Sequence, residues 1–123
     1  MPRFPKSSRL CSRTLIDRLF EPGNSRSFTA YPMRLVFYTQ EGTDSQLLIS
    51  VPKRHFRHAV DRNRVKRQIR EAYRNNATLL TLPEGHAAIM AIIWLDSSHH
   101  PSAKVAAKVR NLLQRATESL CVQ

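Results

Sequence analysis

Residues Ala87–Leu95, AAIMAIIWL, run nine positions without a polar side chain. A strand with one wet face alternates apolar and polar residues. A run without alternation has no wet face, so this segment predicts a buried central strand. It is far too short to span a bilayer, and it lies mid-chain, where no signal peptide would be. The rest of the chain supplies the cover. Val105, Val109, Leu112, Leu113, Ala116 and Leu120 form a helical stripe over the last twenty or so residues, with Pro101 near its first helical position. Tyr31–Thr39 alternates, with Met33, Leu35 and Phe37 on one side and Arg34, Val36 and Tyr38 on the other. That predicts a strand with one buried and one mixed face. Phe28 fits a short strand before it. Leu47–Val51 reads as another strand, stopped by Pro52, and Gln40–Ser45 as a hairpin loop between the two. Ser12 can cap a short first helix carrying Leu15, Ile16, Leu19 and Phe20, which Pro22-Gly23 ends. Thr78–Gly85 reads as a loop. The order is α-β-β-β-α-β-α, an α/β (α+β two-layer) sandwich with a four-stranded sheet. A chain of 123 residues suggests one domain, with Met1–Arg9 a mobile basic arm.

The stretch Ala59–Arg74, AVDRNRVKRQIREAYR, predicts a helix with two unlike sides. Val65, Ile69 and Ala72 fall on one arc, with Tyr73 at its edge. Asn63, Lys66, Arg67, Arg70 and Arg74 fall on the other, and Arg62 lies near the boundary at the helix start. Asp61 is the expected N-cap. Between Lys53 and Arg74 stand nine Lys and Arg and only two acids, so salt bridges cannot neutralise the run. Such a face calls for a polyanion. The whole chain agrees, at +11 with a pI near 10.9, and nucleic acid is the expected partner. A basic membrane-surface protein would need an amphipathic anchor or lipidation motif, and neither is present in the sequence.

Protein-borne chemistry is hard to find. The three glycines, Gly23, Gly42 and Gly85, are widely spaced and form no phosphate loop. Cys11 and Cys121 are too few for a disulfide framework or a metal site and suit a reducing cytosol. His99 and His100 are expected to be solvated in the turn Ser97–Pro101, not metal ligands. His55 and His58, in the cationic connector Lys53–His58, suit phosphate or base contact. Phe37 and Trp94 read as core. Phe20 and Tyr38 suit either core or base stacking, and Tyr38 leans to stacking because it shares a face with Arg34.

With these residues in view, LLISVPKRHFRHAVDRNRVKRQIREAYR closely resembles the signature of the bacterial ribonuclease P protein subunit. Arg62-Asn63-Arg64, then Lys66-Arg67, then Arg70-Glu71 carry the likeness. Arg9 to Gly23 resembles that family's first helix and glycine stop. The resemblance implies a protein that assists a catalytic RNA in removing the 5′ leader of precursor tRNA. It implies no catalytic residue, metal or cofactor on the protein, because the RNA carries the active site and its Mg²⁺. It implies RNA-subunit contact by Arg62, Asn63, Arg64, Lys66, Arg67, Arg70 and, next along the face, Arg74. It also implies a cleft for the single-stranded leader walled by Ile16, Phe20, Arg34, Val36 and Tyr38, with Lys53 and Arg54 at its rim. The partners would be the catalytic RNA and precursor tRNA, with no membrane and no required protein partner, in the cytoplasm. A left-handed crossover around the basic helix is implied as well. The chain departs from the family at Ile16, where Phe is common, at Leu48, where Gly is common, and in a bulkier connector with Phe56. Two competing readings share the charge: a ribosomal or assembly protein, and a DNA-binding module. The DNA reading lacks a helix-turn-helix partner, and a generic ribosomal protein need not set Asn63 between two arginines.

Overall fold

The computed structural model describes residues 13–121, apart from 22, 24, 43, 44, 81 and 83. The expected basic arm, the Ser12 cap, Cys11 and Pro22 lie outside the described residues. The elements are α1 (Arg13–Leu19), β1 (Arg26–Ala30), β2 (Met33–Glu41), β3 (Gln46–Ser50), α2 (Ala59–Asn76), β4 (His86–Trp94) and α3 (Ser102–Cys121). A single 3-10 turn, Ala77–Leu79, opens the loop after α2. The order is the expected α-β-β-β-α-β-α.

The sheet order is β1-β2-β4-β3. This corrects the expected hairpin at Gln40–Ser45: β2 and β3 are not neighbours. The hairpin joins β1 to β2, closed by the pair Ala30 and Met33. β4 runs between β2 and β3, antiparallel to β2 from Met33–Trp94 to Glu41–His86 and parallel to β3. The physical reason lies in β4 itself. Its apolar side chains point both ways, so it needs strands on both edges and cover on both faces. All its residues except His86 and Ile93 are buried.

One face carries the main core. Met33, Leu35, Phe37, Met90, Ile92 and Trp94 meet Val65 and Ile69 of α2 and Val105, Val109, Leu112 and Leu113 of α3. Burying Val65 and Ile69 contributes roughly 1.5–3 kcal/mol each. These two residues fix the roll of α2 about its own axis, and so which residues face water. The other face carries a smaller cluster of Val36, Tyr38, Ile89 and Ala91 under Leu19 of α1, flanked by Leu15, Ile16, Leu48 and Ile93. α1 has only seven residues, so this face is covered only in part.

Candidate nucleic-acid interface

With Val65, Ile69, Ala72 and Tyr73 buried, α2 turns Asn63, Arg64 and Arg67 to solvent, and Lys66, Arg70 and Arg74 lie half-exposed. Both acids of the stretch are occupied. Glu71 accepts from Arg74, and Asp61 Oδ1 stands 3.1 Å from His99 Nε2. The side chains of Arg64, Lys66 and Arg67 make no ion pair or hydrogen bond to the described residues. Their charge is therefore available to an external anion. Arg62 is different. Its Nη1 donates to the carbonyls of Phe56 and Arg57, each at 2.9 Å. It holds the connector against the helix, so part of its hydrogen-bonding capacity is already used inside the protein.

Asp61 is not the N-cap. His58 occupies that position, with extended backbone and no capping side chain. Asp61 lies inside the first turn, where its carboxylate faces the positive end of the helix dipole and His99. The histidine pair is also not solvated as expected. His99 stacks on Phe56, ring centroids 4.7 Å apart. His100 meets Trp94 edge-on at 5.5 Å and bonds Asp96 Oδ2 at 2.6 Å. Gln68 of α2 donates to the His100 carbonyl and to Ser102 Oγ. His55 Nδ1 is 3.1 Å from Ser97 Oγ, so this ring too is tied to the β4–α3 turn. That turn thus clamps the start of the cationic helix. The hydrogen bond from His100, with further ones from Tyr31 and the Ser97 amide, holds the Asp96 carboxyl below the usual range against an opposing effect of burial.

The second expected site lies on the α1 face. Phe20 follows α1 directly and is 48% exposed. Phe20, Arg34 and Val36 come together around a cavity of about 210 Å³, with Leu19, Ser27 and Ile93. Arg34 donates to Ser27 Oγ at 3.2 Å. Ile16 is half-buried against the same cluster. Tyr38 is only 9% exposed, so its ring belongs to the small core and is no open stacking platform. Lys53 and Arg54 sit on the exposed turn after β3. Ser50 pairs with Ile93, which pairs with Arg34, so that turn leaves the sheet at the level of Arg34. Ile93 and Ser27 were not singled out in the sequence. Ile93 was hidden within an all-apolar run, and Ser27 joins the site only through its register with Val36.

Among the described residues, no group of three or more His, Cys, Asp or Glu could hold a metal ion, and no helix is long and apolar enough to cross a membrane.

Known proteins match this arrangement. The sequence profile of the family described as Ribonuclease P matches residues 4–117. The ribonuclease P protein component of Porphyromonas gingivalis strain ATCC 33277 is 46% identical over 78 residues, covering 61% of this chain and 56% of that protein. The chain thus spans a little over half the length of that relative. The component from Borrelia garinii subsp. bavariensis is 30% identical over 105 residues, covering 85% and 91% of the two chains. Among solved structures, the RNase P protein from Thermotoga maritima superposes with a TM-score of 0.71 at 26% identity, covering 87% of this chain and 96% of that one. An RNase P protein from Staphylococcus aureus, 22% identical with a TM-score of 0.68 over 90% and 89% of the chains, shares the fold. The cationic α2, the four-stranded sheet and the profile match over nearly the whole length together place the chain: it belongs to the ribonuclease P protein family.

Proposed function

We propose that this chain is the protein component of a ribonucleoprotein that removes the 5′ leader from precursor tRNA, with catalysis carried by the RNA. One observation supports this most. α2 presents Asn63, Arg64, Lys66 and Arg67 on a face that the core holds outward and whose cations pair with no acid among the described residues. Folded RNA is the ligand such a face fits, because arginine forks match phosphate geometry and each contact releases counterions. Arg70 and Arg74 extend the face. Arg62 orients it.

The leader lies across the α1 face. Phe20 offers an exposed ring to a base, Arg34 a guanidinium to a phosphate, and Val36 with Ile93 an apolar floor. Lys53 and Arg54 stand at the α2 end of that path. A grip made of stacking and charge has little sequence preference. Mg²⁺ belongs to the RNA. The protein's cations act on it indirectly by lowering phosphate repulsion and so raising the RNA's effective affinity for the ion. The particle works in the cytoplasm and needs no second protein.

Reconstitution tests this. The protein mixed with a bacterial ribonuclease P RNA at modest Mg²⁺ should release 5′ leader from precursor tRNA faster than the RNA alone, with the gain shrinking as Mg²⁺ rises. Cleavage by RNA-free protein, or no gain at any Mg²⁺ concentration, would contradict the proposal.

A further inference from the structure

α3 carries cations that the proposed function does not use: Lys104, Lys108, Arg110 and Arg115. Its only acid is Glu118, and β1 has none. At about 100° per residue, Lys104, Lys108 and Arg115 fall within one narrow arc of the helix. That arc lies on the β1 side. Arg115 Nη1 donates to the Thr29 carbonyl at 2.8 Å, and its guanidinium carbon lies 5.1 Å from the centroid of the Phe28 ring. Arg26 of β1 reaches across the same seam, donating from Nη1 to the Ser119 carbonyl at 2.6 Å and to Ser119 Oγ at 3.2 Å. The opposite flank of α3 meets α2 and the turn after it, through Gln68 with Ser102 Oγ and Thr117 Oγ1 with the Leu79 carbonyl. We propose that the α3–β1 seam is a second RNA-binding surface, which takes the phosphate backbone of a segment of the RNA subunit distinct from the one seated on α2.

Nothing among the described residues uses this charge. Lys104 and Arg26 are exposed, and Lys108 and Arg115 half-exposed. The side chains of Lys104 and Lys108 make no hydrogen bond or ion pair to the described residues. Arg26 and Arg115 are anchored on carbonyls, a hydroxyl and a ring, none of which cancels a positive charge. The anchoring orders both guanidiniums, and their remaining N–H donors stay open to a phosphate. Glu118 pairs with none of these cations.

The placement of the charges also argues against a stabilising role. α2 follows its dipole, with Asp61 in the first turn and Arg74 in the last. α3 inverts that pattern, with no acid in its first turn and no base in its last. Lys104 stands in the first turn and Glu118 in the last, each where the dipole opposes it. Surface charges chosen for helix stability would be exchanged. The spacing suits an extended polyanion: Lys104 to Arg115 spans about 16 Å of helix, and Arg26 adds a cation one turn farther on, at Ser119. β1 is an edge strand, and cations can guard an edge against pairing with another chain. Edge protection calls for cations on β1 itself, whereas Lys104, Lys108 and Arg115 stand on α3.

The occupant follows from the layers. α2 and α3 share one face of the sheet, and on the proposed function the leader lies on the other, beside α1. A polyanion on the α3–β1 seam is therefore on the side of the RNA subunit. The inference rests on that proposed function.

The test uses the full chain and ribonuclease P RNA with no precursor present. It reads affinity over a range of salt concentrations, together with hydroxyl-radical footprints on the RNA backbone. Lys104→Ala with Lys108→Ala leaves the anchored arginines in place and introduces a better helix former, so its thermal midpoint should match or exceed that of the wild type. The variant should bind about tenfold more weakly at low salt and lower the slope of log K against log salt concentration by about 2. It should lose one set of protected nucleotides, and Arg64→Ala with Arg67→Ala a different set. Lys104→Arg with Lys108→Arg should keep both the affinity and the footprint. Unchanged affinity and slope, or weaker binding with no local change in the footprint, would overturn the seam as a contact surface. Loss of the same nucleotides in both variants, or losses seen only when precursor tRNA is added, would overturn it too. In each of those cases, weakened binding by the α2 variant leaves the proposed function standing. No footprint in the wild type would overturn both. A lowered midpoint, or aggregation with unchanged RNA binding, would assign the lysines to the fold or to edge protection and overturn the proposal.

Discussion

Phe20 and Tyr38 read alike in the sequence, two aromatic rings near one basic strand, and the fold separates them. Phe20 stands past the last residue of α1 with half its surface open, whereas Tyr38 is buried with Val36, Ile89 and Ala91. Phe20→Ala should therefore leave the denaturation midpoint nearly unchanged and weaken precursor tRNA more than mature tRNA. Tyr38→Ala should cost about 3 kcal/mol in stability, measured by chemical denaturation. Equal losses on precursor and mature tRNA for Phe20→Ala would remove its leader role. Asp96 gives a pH prediction. His100 holds its carboxyl below the ordinary value, so between the folded and unfolded pKa the unfolded chain binds more protons. The stabilisation is present above the unfolded value, near 4, and is lost as pH falls through the folded one. The stability gap between wild type and Asp96→Asn should be constant near neutrality and close in strong acid. A gap that persisted at the lowest pH would show that Asp96 acts through shape and not charge.

At the scale of elements, α2 was legible almost to the residue, because Val65, Ile69, Ala72 and Tyr73 encode its roll in sequence spacing. β4 was legible because nothing polar interrupts it. The sheet order was not. β4 enters between β2 and β3 through pairs such as Glu41 with His86, and local pattern carries no record of such distant partners. The expected hairpin at Gln40–Ser45 failed for that reason. Asp61 was misread on similar grounds: a carboxylate at a helix start suits a cap, but His99 arrives from another element and claims it. The clamp made by the β4–α3 turn likewise exists only after folding. It predicts that His99→Ala loses the Phe56 stack and the Asp61 bond together, at a cost of about 1 kcal/mol, and frays the start of α2. Amide exchange at residues 59–63 should quicken while that at 67–73 stays unchanged. Uniform quickening along α2 would show that His99 supports the whole fold and not the helix start.

At the scale of the molecule, the two faces of the sheet are covered unequally. α2 and α3 cover the main core on one face, and α2 turns its charge away from it. α1 covers the other incompletely, which leaves Phe20, Arg34 and Ile93 accessible. On the proposed function, the charge of +11 attracts RNA to the surface at large, and the RNA subunit seats on the face of α2 that no described acid pairs with. The most direct measurement is the salt dependence of binding between the full chain and ribonuclease P RNA. Arg64 and Arg67 are exposed and their side chains bond no described residue, so Arg64→Ala with Arg67→Ala should fold normally. The double variant should weaken binding and lower the slope of log K against log salt concentration by about 2, one for each lost phosphate contact. An unchanged slope and affinity would contradict the assignment of α2 as the RNA-binding face.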